Sequence, residues 1–429
     1  MGIDTYTCPN CGGSAKFDSS AQALKCPSCD TEFEIAALEE HQKEINGTAA
    51  DEFNWSMQAE DDIWAGTDMD DLSAGACPSC GAEFFGNKNT IAAVCPCCGN
   101  AQVIPKRLSG DLKPDYVIPF RLEKKTAVDA MKEFCKGKRL LPNCFVEDNH
   151  IEETQGLYVP FWLFDATAHG HLCFSVTKLG RPRAGGSKSS EAMHYSVIRD
   201  GHIDFQKVPV DASERMDDAY MDAIEPFDYA DIKNFHKSYL AGYIAEKYDV
   251  SIDKCKTRAE LRIEATLEKE FEKTVTGYKS VTLEKSAIDV KNGRISYGLF
   301  PVWVLNTKYK KENYQFIMNG QTGRLAGWLP VDRGKALKYT GLFSGIAGTI
   351  LTPLLFAIKA IGAFDMSLPS VILMAWCAAV VAGISIVHVW ESRMNTAREK
   401  TQACDYVVPG SLKLRVKKDA LLYKTSIKP

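Results

Sequence analysis

Eight of the fifteen cysteines in this 429-residue sequence fall into a repeated pattern. Cys8-x2-Cys11 is followed, fourteen residues on, by Cys26-x2-Cys29, and Cys77-x2-Cys80 is followed after the same interval by Cys95-x2-Cys98. Two tight turns that present four thiolates are what a tetrahedral structural Zn2+ needs, so two zinc ribbons are expected, each holding one Zn2+. Proline stiffens the knuckles, which read CPNC, CPSC, CPSC and CPCC. Gly12, Gly81 and Gly99 supply the positive φ that turns backbone N–H groups toward the sulfurs. Four cysteines close the coordination sphere, so these zincs are assigned no catalysis. In units this small the metal supplies much of the folding energy. Cys97 lies between two predicted ligands and is read as a bystander.

Other chemistry is hard to find. The sequence has no G-x-x-x-x-G-K-[ST], no G-x-S-x-G and no H-E-x-x-H. His169-x-His171 would place two imidazoles on one strand face, but no third ligand is evident. Asp211, Ser213 and Glu214 read as an N-cap and first helical turn rather than as an acid/base group. A non-enzyme is expected.

Charge tests what the ribbons could bind. Residues 1–100 carry seventeen acidic against four basic side chains, a balance of −13. Nucleic-acid binding needs a basic footprint, so a protein partner fits better.

The elements that must position the cysteines can be read in order. Residues 1–34 form ribbon 1 and residues 77–105 form ribbon 2. Between them, residues 35–76 read as an acidic linker. It is either solvated or a linear motif that docks on a partner through Trp55 and Trp64. Residues 111–335 read as one α+β cytosolic domain. In it Thr126 to Lys138 is an amphipathic helix with Val128, Met131, Phe134 and Cys135 inward. Gly156 to Lys178 gives two strands, and residues 181–192 a mobile loop. Asp200-Gly201 and Asn292-Gly293 signal hairpins, and Asn319-Gly320 a further turn. Helices are expected over residues 215–224, 229–247 and 252–274. Tyr158-Val-Pro160-Phe-Trp162 echoes Leu299-Phe-Pro301-Val-Trp303. Because proline suits edges and bulges, these two stretches read as related edge strands or strand starts, packed as core or as a hydrophobic partner groove.

Two charge-free runs follow, Tyr339 to Ile358 and Met366 to Trp390, of twenty and twenty-five residues. About 20 apolar helical residues span a hydrocarbon core about 30 Å thick. A transmembrane hairpin over 338–390, with helices at about 339–358 and 368–390, is therefore expected; the competing reading is a pair of buried core helices. Met1 is followed by neither a basic nor an apolar leader, so the first run is the expected insertion signal. Arg333, Lys335 and Lys338 precede the hairpin, Arg393, Arg398 and Lys400 follow it, and the turn holds only Lys359. Both termini should lie in the cytosol, where thiols stay reduced. Gly341-x3-Gly345 offers close packing within the hairpin or between copies in a homo-oligomer. Residues 391–429 form a basic cytosolic tail, in which residues 393–429 carry nine basic against three acidic side chains. It could attract anionic membrane lipid or return to the domain as a strand.

The paired CPxC knuckles, then VIPF, GLYVPFWLFDA, FQKVPVDAS, IEPFD, YLAGYIAEKYDV, LFPVWVLNTKY and MNGQTGRLAGWLP, followed by the hairpin, resemble bacterial TFIIB-type zinc-ribbon membrane proteins. Such proteins are sometimes labelled PriA-like replication-restart helicases, but this sequence has no nucleotide-binding loop to support that. Relatives are often encoded beside SPFH-domain proteins and phage-shock-protein A relatives. The resemblance therefore implies a recruitment or membrane-stress role, with an SPFH-domain protein among the partners, and it transfers no catalytic residues. The expected protein is a multidomain α+β chain that acts as a membrane-anchored zinc-ribbon adaptor for cytosolic and membrane proteins. The alternative is a membrane-tethered nucleic-acid-binding or transcription- and replication-associated protein.

Overall fold

The computed structural model describes residues 6–47, 52–57, 63–64, 72–87, 95–98, 100, 103–106, 111–143, 151–180, 190–309, 312–362 and 367–427. Residues 181–189 of the expected loop lie outside them, and its last three residues, 190–192, lie in a strand rather than a loop.

The chain begins with a four-stranded sheet of β1 (Tyr6–Thr7), β2 (Ser14–Asp18), β3 (Ala23–Lys25) and β4 (Glu32–Phe33). Helix α1 (Ile35–Asn46) follows. The next elements belong to a second, much larger sheet: β5 (Glu52–Met57), β6 (Leu72–Ala76), β7 (Glu83–Asn87), β8 (Ile104–Lys106) and β9 (Tyr116–Val117). Helix α2 (Lys124–Cys135) leads to the long strands β10 (Ile151–Leu179) and β11 (Ser190–Asp211). After α3 (Asp218–Ala223) come β12 (Lys233–Asn234), β13 (Ile244–Glu246) and α4 (Ile252–Glu272). Strands β14 (Ser280–Tyr309), β15 (Glu312–Asn319) and β16 (Leu325–Gly327) precede the apolar helices α5 (Arg333–Ala360) and α6 (Leu368–Ser392). The chain closes with β17 (Lys413–Ile427).

The centre of the large sheet is β10 paired antiparallel with β14 along nearly their whole length, from Ile151 opposite Thr307 to Thr177 opposite Ser280. Strand β11 covers the other side of β10, and β17 covers β11. Helix α4 packs on one face: Ile263, Leu267 and Phe271 are buried with Ala168, Leu172 and Phe174. Gly170 is needed there, because a Cβ would sit 2.5 Å from the Leu267 side chain. Burying each such large apolar side chain contributes about 1.5–3 kcal/mol. Helix α2 buries Ala127, Met131 and Cys135 against Trp303, Phe316 and Met318, and half-buries Val128 and Phe134.

Several expectations change here. The two P-x-W stretches are neighbouring central strands, with Tyr158 opposite Pro301 and Pro160 opposite Leu299, and they form core. Gly156 to Lys178 is one strand. Asp200-Gly201 is no hairpin but mid-strand, where Gly201 lets the β17 backbone pass; a Cβ would collide with the Lys413 carbonyl. Asn292-Gly293 forms a bulge in β14, with Asn292 at φ 56°. Asn319-Gly320 does turn, with the Asn319 side chain accepting from the N–H groups of Gln321 and Thr322. Residues 229–247 hold short turns and the strands β12 and β13 rather than a helix, because pairing with β9, β10 and β7 outweighs local propensity. The described parts of 35–76 are docked on the domain, not solvated. Trp64 is 4% exposed, and the Trp55 ring lies 5.2 Å from Phe164 while its indole N–H donates to Glu260 (2.9 Å). Both tryptophans are thus occupied inside this chain.

The basic tail returns to the sheet as β17. Helices α5 and α6, of 28 and 25 residues, are long and apolar enough to cross a membrane. They run antiparallel, since Tyr339 near the start of α5 meets Trp390 near the end of α6, while Gly348, further along α5, meets Trp376, earlier in α6. Their outward side chains are uncovered, Leu354 being 51% and Val381 63% exposed, so they are not buried core helices.

Candidate metal centres and the buried polar core

Each predicted cysteine quartet is assembled. In the first, Cys8 Sγ lies 3.7 Å from Cys29 Sγ, and Cys11 Sγ 3.5 Å from Cys26 Sγ. In the second, Cys77 and Cys98 are 3.6 Å apart, as are Cys80 and Cys95. A tetrahedron with metal–sulfur bonds of about 2.3 Å has sulfurs about 3.8 Å apart, so both quartets fit a structural metal. All four sulfurs of each quartet lie within 4.8 Å of one another. The knuckles form because each closes on itself: the N–H of Cys8 donates to Gly13 O and that of Gly12 to Cys8 O, and Cys77 with Ala82 and Gly81 repeats the pattern. Gly12 and Gly81 take φ of 74° and 77°, and Asp30 takes the same left-handed place, at 55°, in the second knuckle of ribbon 1. Gly99 lies outside the described residues. Cys97 Sγ points to Glu246 (3.8 Å) and stays out of the quartet.

The two centres are mounted differently. The first is its own small sheet, held by Phe33 edge-on to Tyr423 (5.3 Å) and by Lys418 of β17 on Glu40 of α1 (2.5 Å). The second is continuous with the large sheet, since β7 pairs with β13. The sequence presents both as independent ribbons; nothing in the cysteine spacing distinguishes them.

His169 and His171 do share a face, as read from the sequence, but they do not form a pair on one ligand. The His171 ring nitrogens bond to Asp200 (3.1 Å) and Glu44 (2.7 Å), and Asp200 is clamped by Arg415. Burial pulls His171 down, but these two carboxylates outweigh it and hold it above its ordinary value. Nearby, His41, Cys173 and Glu284 each bring one donor atom within 4.8 Å of the others. His41 is already held by Ser196 (3.0 Å).

A third polar group escapes the sequence reading. Asp211 ends β11 and caps nothing; the N-cap of α3 is Asp217, whose carboxylate accepts from Ala219 N–H (2.8 Å). Ser213 donates to buried Glu246 (2.9 Å) while accepting from the N–H of Arg215 and Met216. Asp211 instead meets Arg258 of α4 (2.9 Å), which also reaches Asp222 (3.1 Å). One turn on, Arg262 binds Glu225 (2.6 Å) and the Pro209 carbonyl (2.7 Å). Burial pushes the Asp211 carboxyl up to about 8 even with Arg258 beside it, and raises Glu225 against the pull of Arg262. The segment after α6 closes over these groups: Lys400 N–H donates to Asp222 (2.9 Å) and Ala403 N–H to Thr266 (2.7 Å). Two arginines four residues apart on the apolar side of α4 were the signal available in the sequence. The network joins α3, α4 and the returning tail, and each charge in it has an opposite partner. It is built as a fastening.

A comparison with known proteins places the chain. It is 35% identical over 346 residues to Uncharacterized protein YdjG of Bacillus subtilis (strain 168), a match covering 81% of this chain and 95% of the relative. The chain belongs to the same family as that protein. No protein-family model matches it, and neither does any solved structure.

Proposed function

We propose that this protein is a non-enzymatic adaptor, anchored in a bacterial inner membrane by α5 and α6, that recruits cytosolic proteins through two structural Zn2+ ribbons and its α+β domain. The observation that carries the reading is the union of a domain bearing two four-cysteine centres with an apolar helix pair whose outer faces nothing covers. Exposed apolar area on this scale marks a membrane or partner surface. Zinc is the metal of choice for four thiolates in a closed tetrahedron. The acidic balance of residues 1–100 favours a protein partner with basic character over nucleic acid. The resemblance to TFIIB-type zinc-ribbon membrane proteins makes an SPFH-domain protein a partner to test first, and membrane stress the setting.

The test is affinity purification from solubilised native membranes with the wild type and with Cys8→Ser, whose ribbon stands apart from the main sheet. Loss of a defined set of partners in the variant is expected. An unchanged partner set would remove the ribbon's recruiting role, and recovery of the protein in the soluble fraction would remove the anchor.

A further inference from the structure

Where the segment after α2 meets the end of α6, a pocket of about 420 Å3 is lined by Lys136, Lys138, Arg139, Trp390 and Arg393. We propose that this pocket binds the phosphate of an anionic membrane lipid headgroup. The inference rests on the membrane reading of α5 and α6 and adds to it a ligand and a site.

The cations come from two distant parts of the chain, and Lys138 and Arg139 are held in place. Lys138 Nζ donates to the Arg393 carbonyl (2.7 Å), and the Arg139 guanidinium lies 4.8 Å over the Trp390 ring. Gly137, at φ 73°, lets the chain turn so that Lys136 before it and Lys138 and Arg139 after it line one hollow. Lys136 is neutralised by Glu133 (2.5 Å). Among the described residues no carboxylate pairs with Lys138, Arg139 or Arg393. Three uncompensated cations around one pocket repel each other, and an anion placed between them removes that cost. Burial pulls the Lys138 ammonium below its ordinary value, and the Arg393 charge adds to the effect.

Position supplies the second half of the argument. Trp390 is the last residue of the second charge-free run and Tyr339 the first of the other, and their rings are 5.4 Å apart. Trp and Tyr collect at the headgroup level of a bilayer. The pocket therefore opens at the depth where lipid phosphates lie. Arginine forks match phosphate oxygens in pairs, so Arg139 and Arg393 are the expected direct contacts.

The test uses the full-length protein in detergent and native mass spectrometry to count retained lipid. Phosphatidylglycerol, phosphatidylcholine and inorganic phosphate are titrated separately against the wild type and against Arg139→Gln/Arg393→Gln. Phosphatidylglycerol should bind more tightly than phosphatidylcholine, and the double variant should weaken it about 30-fold, about fivefold for each basic residue lost at a bilayer surface. Unchanged metal content would show that the variant still folds. Equal binding of the two lipids with no effect of the double variant would overturn the site. Inorganic phosphate binding as tightly as the lipid would make it a site for a soluble phosphate and overturn the lipid assignment. Release of the protein from membranes by carbonate would instead defeat the anchor, a separate outcome.

Discussion

Trp328 and Asn395 face each other as an isolated antiparallel bridge, one just before α5 and the other just after α6. Beside them Leu329 N–H donates to the Met394 carbonyl (2.9 Å), and Asp332 N–H donates to Leu140 O (2.8 Å). The chain thus leaves the α+β domain and re-enters it at one place. After that point the chain fastens to α3 and α4 and finishes as β17 on β11. If α5 and α6 span a bilayer, both flanks must occupy one side, whatever the charge rule says. An impermeant thiol reagent checks this in whole cells. A cysteine introduced as Gly362→Cys at the helix turn should be labelled from outside. Cys404, exposed in the domain, should react only after permeabilisation. The reverse pattern would invert the topology.

The two four-cysteine centres should contribute unequally to stability. Both should carry one zinc, so the wild type should contain two per chain and Cys8→Ser or Cys77→Ser one each. Metal binding supplies folding energy to units that lack their own core. Cys8→Ser should therefore unfold little beyond β1–β4. Cys77→Ser should loosen β6 and β7, which extend the main sheet through β13. Thermal melting resolves the difference: the domain transition should fall by several degrees more in Cys77→Ser. Equal shifts would mean that ribbon 2 is as detachable as ribbon 1.

The Arg262–Glu225 pair, 3% and 1% exposed, predicts non-additive mutants. Arg262→Met leaves Glu225 buried with its main partner gone, which costs about 3–5 kcal/mol. Replacing both, Arg262→Met with Glu225→Leu, removes the orphaned charge and should recover much of that loss. Denaturant unfolding of the four proteins in a double-mutant cycle gives the coupling directly. Additive losses would show that the pair contributes by packing alone.

The contact of α1 with the sheet should depend on pH through His171. Burial lowers its affinity for a proton, but Asp200 and Glu44 outweigh this and raise it above the ordinary value of 6.5. A histidine raised in the folded state binds its proton more tightly there than when unfolded. Its stabilising contribution is complete below about pH 6.5 and is lost as pH rises through the folded value. Arg415 on the far side of Asp200 keeps that carboxylate ionised throughout. Protection of α1 from hydrogen exchange, corrected for the intrinsic pH dependence of amide exchange, should therefore fall as pH rises above about 6.5, and His171→Ala should flatten the dependence. An unchanged profile in the variant would assign the effect elsewhere.

The cysteine spacing and the two apolar runs were legible because each carries its own signal, one in local turn chemistry and one in length. The interior of the domain was less so. Pro160 and Pro301 suggested edges, yet each sits in a central strand. In each case the outer neighbour changes close by: β10 passes from β13 to β11, and β14 from β9 to β15. Their carbonyls accept from Ala212 and Gly320 across matching strand ends. A missing N–H is tolerated at such a junction, and only the pairing reveals the junction. Asp200-Gly201 failed as a turn signal for the same reason: its glycine serves the approach of β17, from the far end of the chain. Asp211 looked like a helix cap because its true partner, Arg258, lies far along the chain.

Packing between α5 and α6 also departs from the residues that first suggested it. Gly341 and Gly345 face open space, where an added Cβ meets nothing within 4 Å. The contact runs instead through Val371, Ala375, Ala379, Gly383 and Val387, every fourth residue of α6, all buried. At Gly383 a Cβ would collide with Ser344 Oγ and fall 2.9 Å from the Thr340 carbonyl. One of those neighbours is backbone and cannot move without bending α5. Gly383→Leu should therefore force the helices apart and cost about 1–3 kcal/mol, the usual range for overpacking a close contact. Gly341→Leu adds an apolar side chain to an exposed face and should leave the hairpin intact. Thermal stability in detergent separates the two variants, and crosslinking between copies adds a second reading. If Gly341→Leu instead abolishes a crosslinked dimer while leaving the monomer stable, Gly341 and Gly345 pack between copies rather than within one.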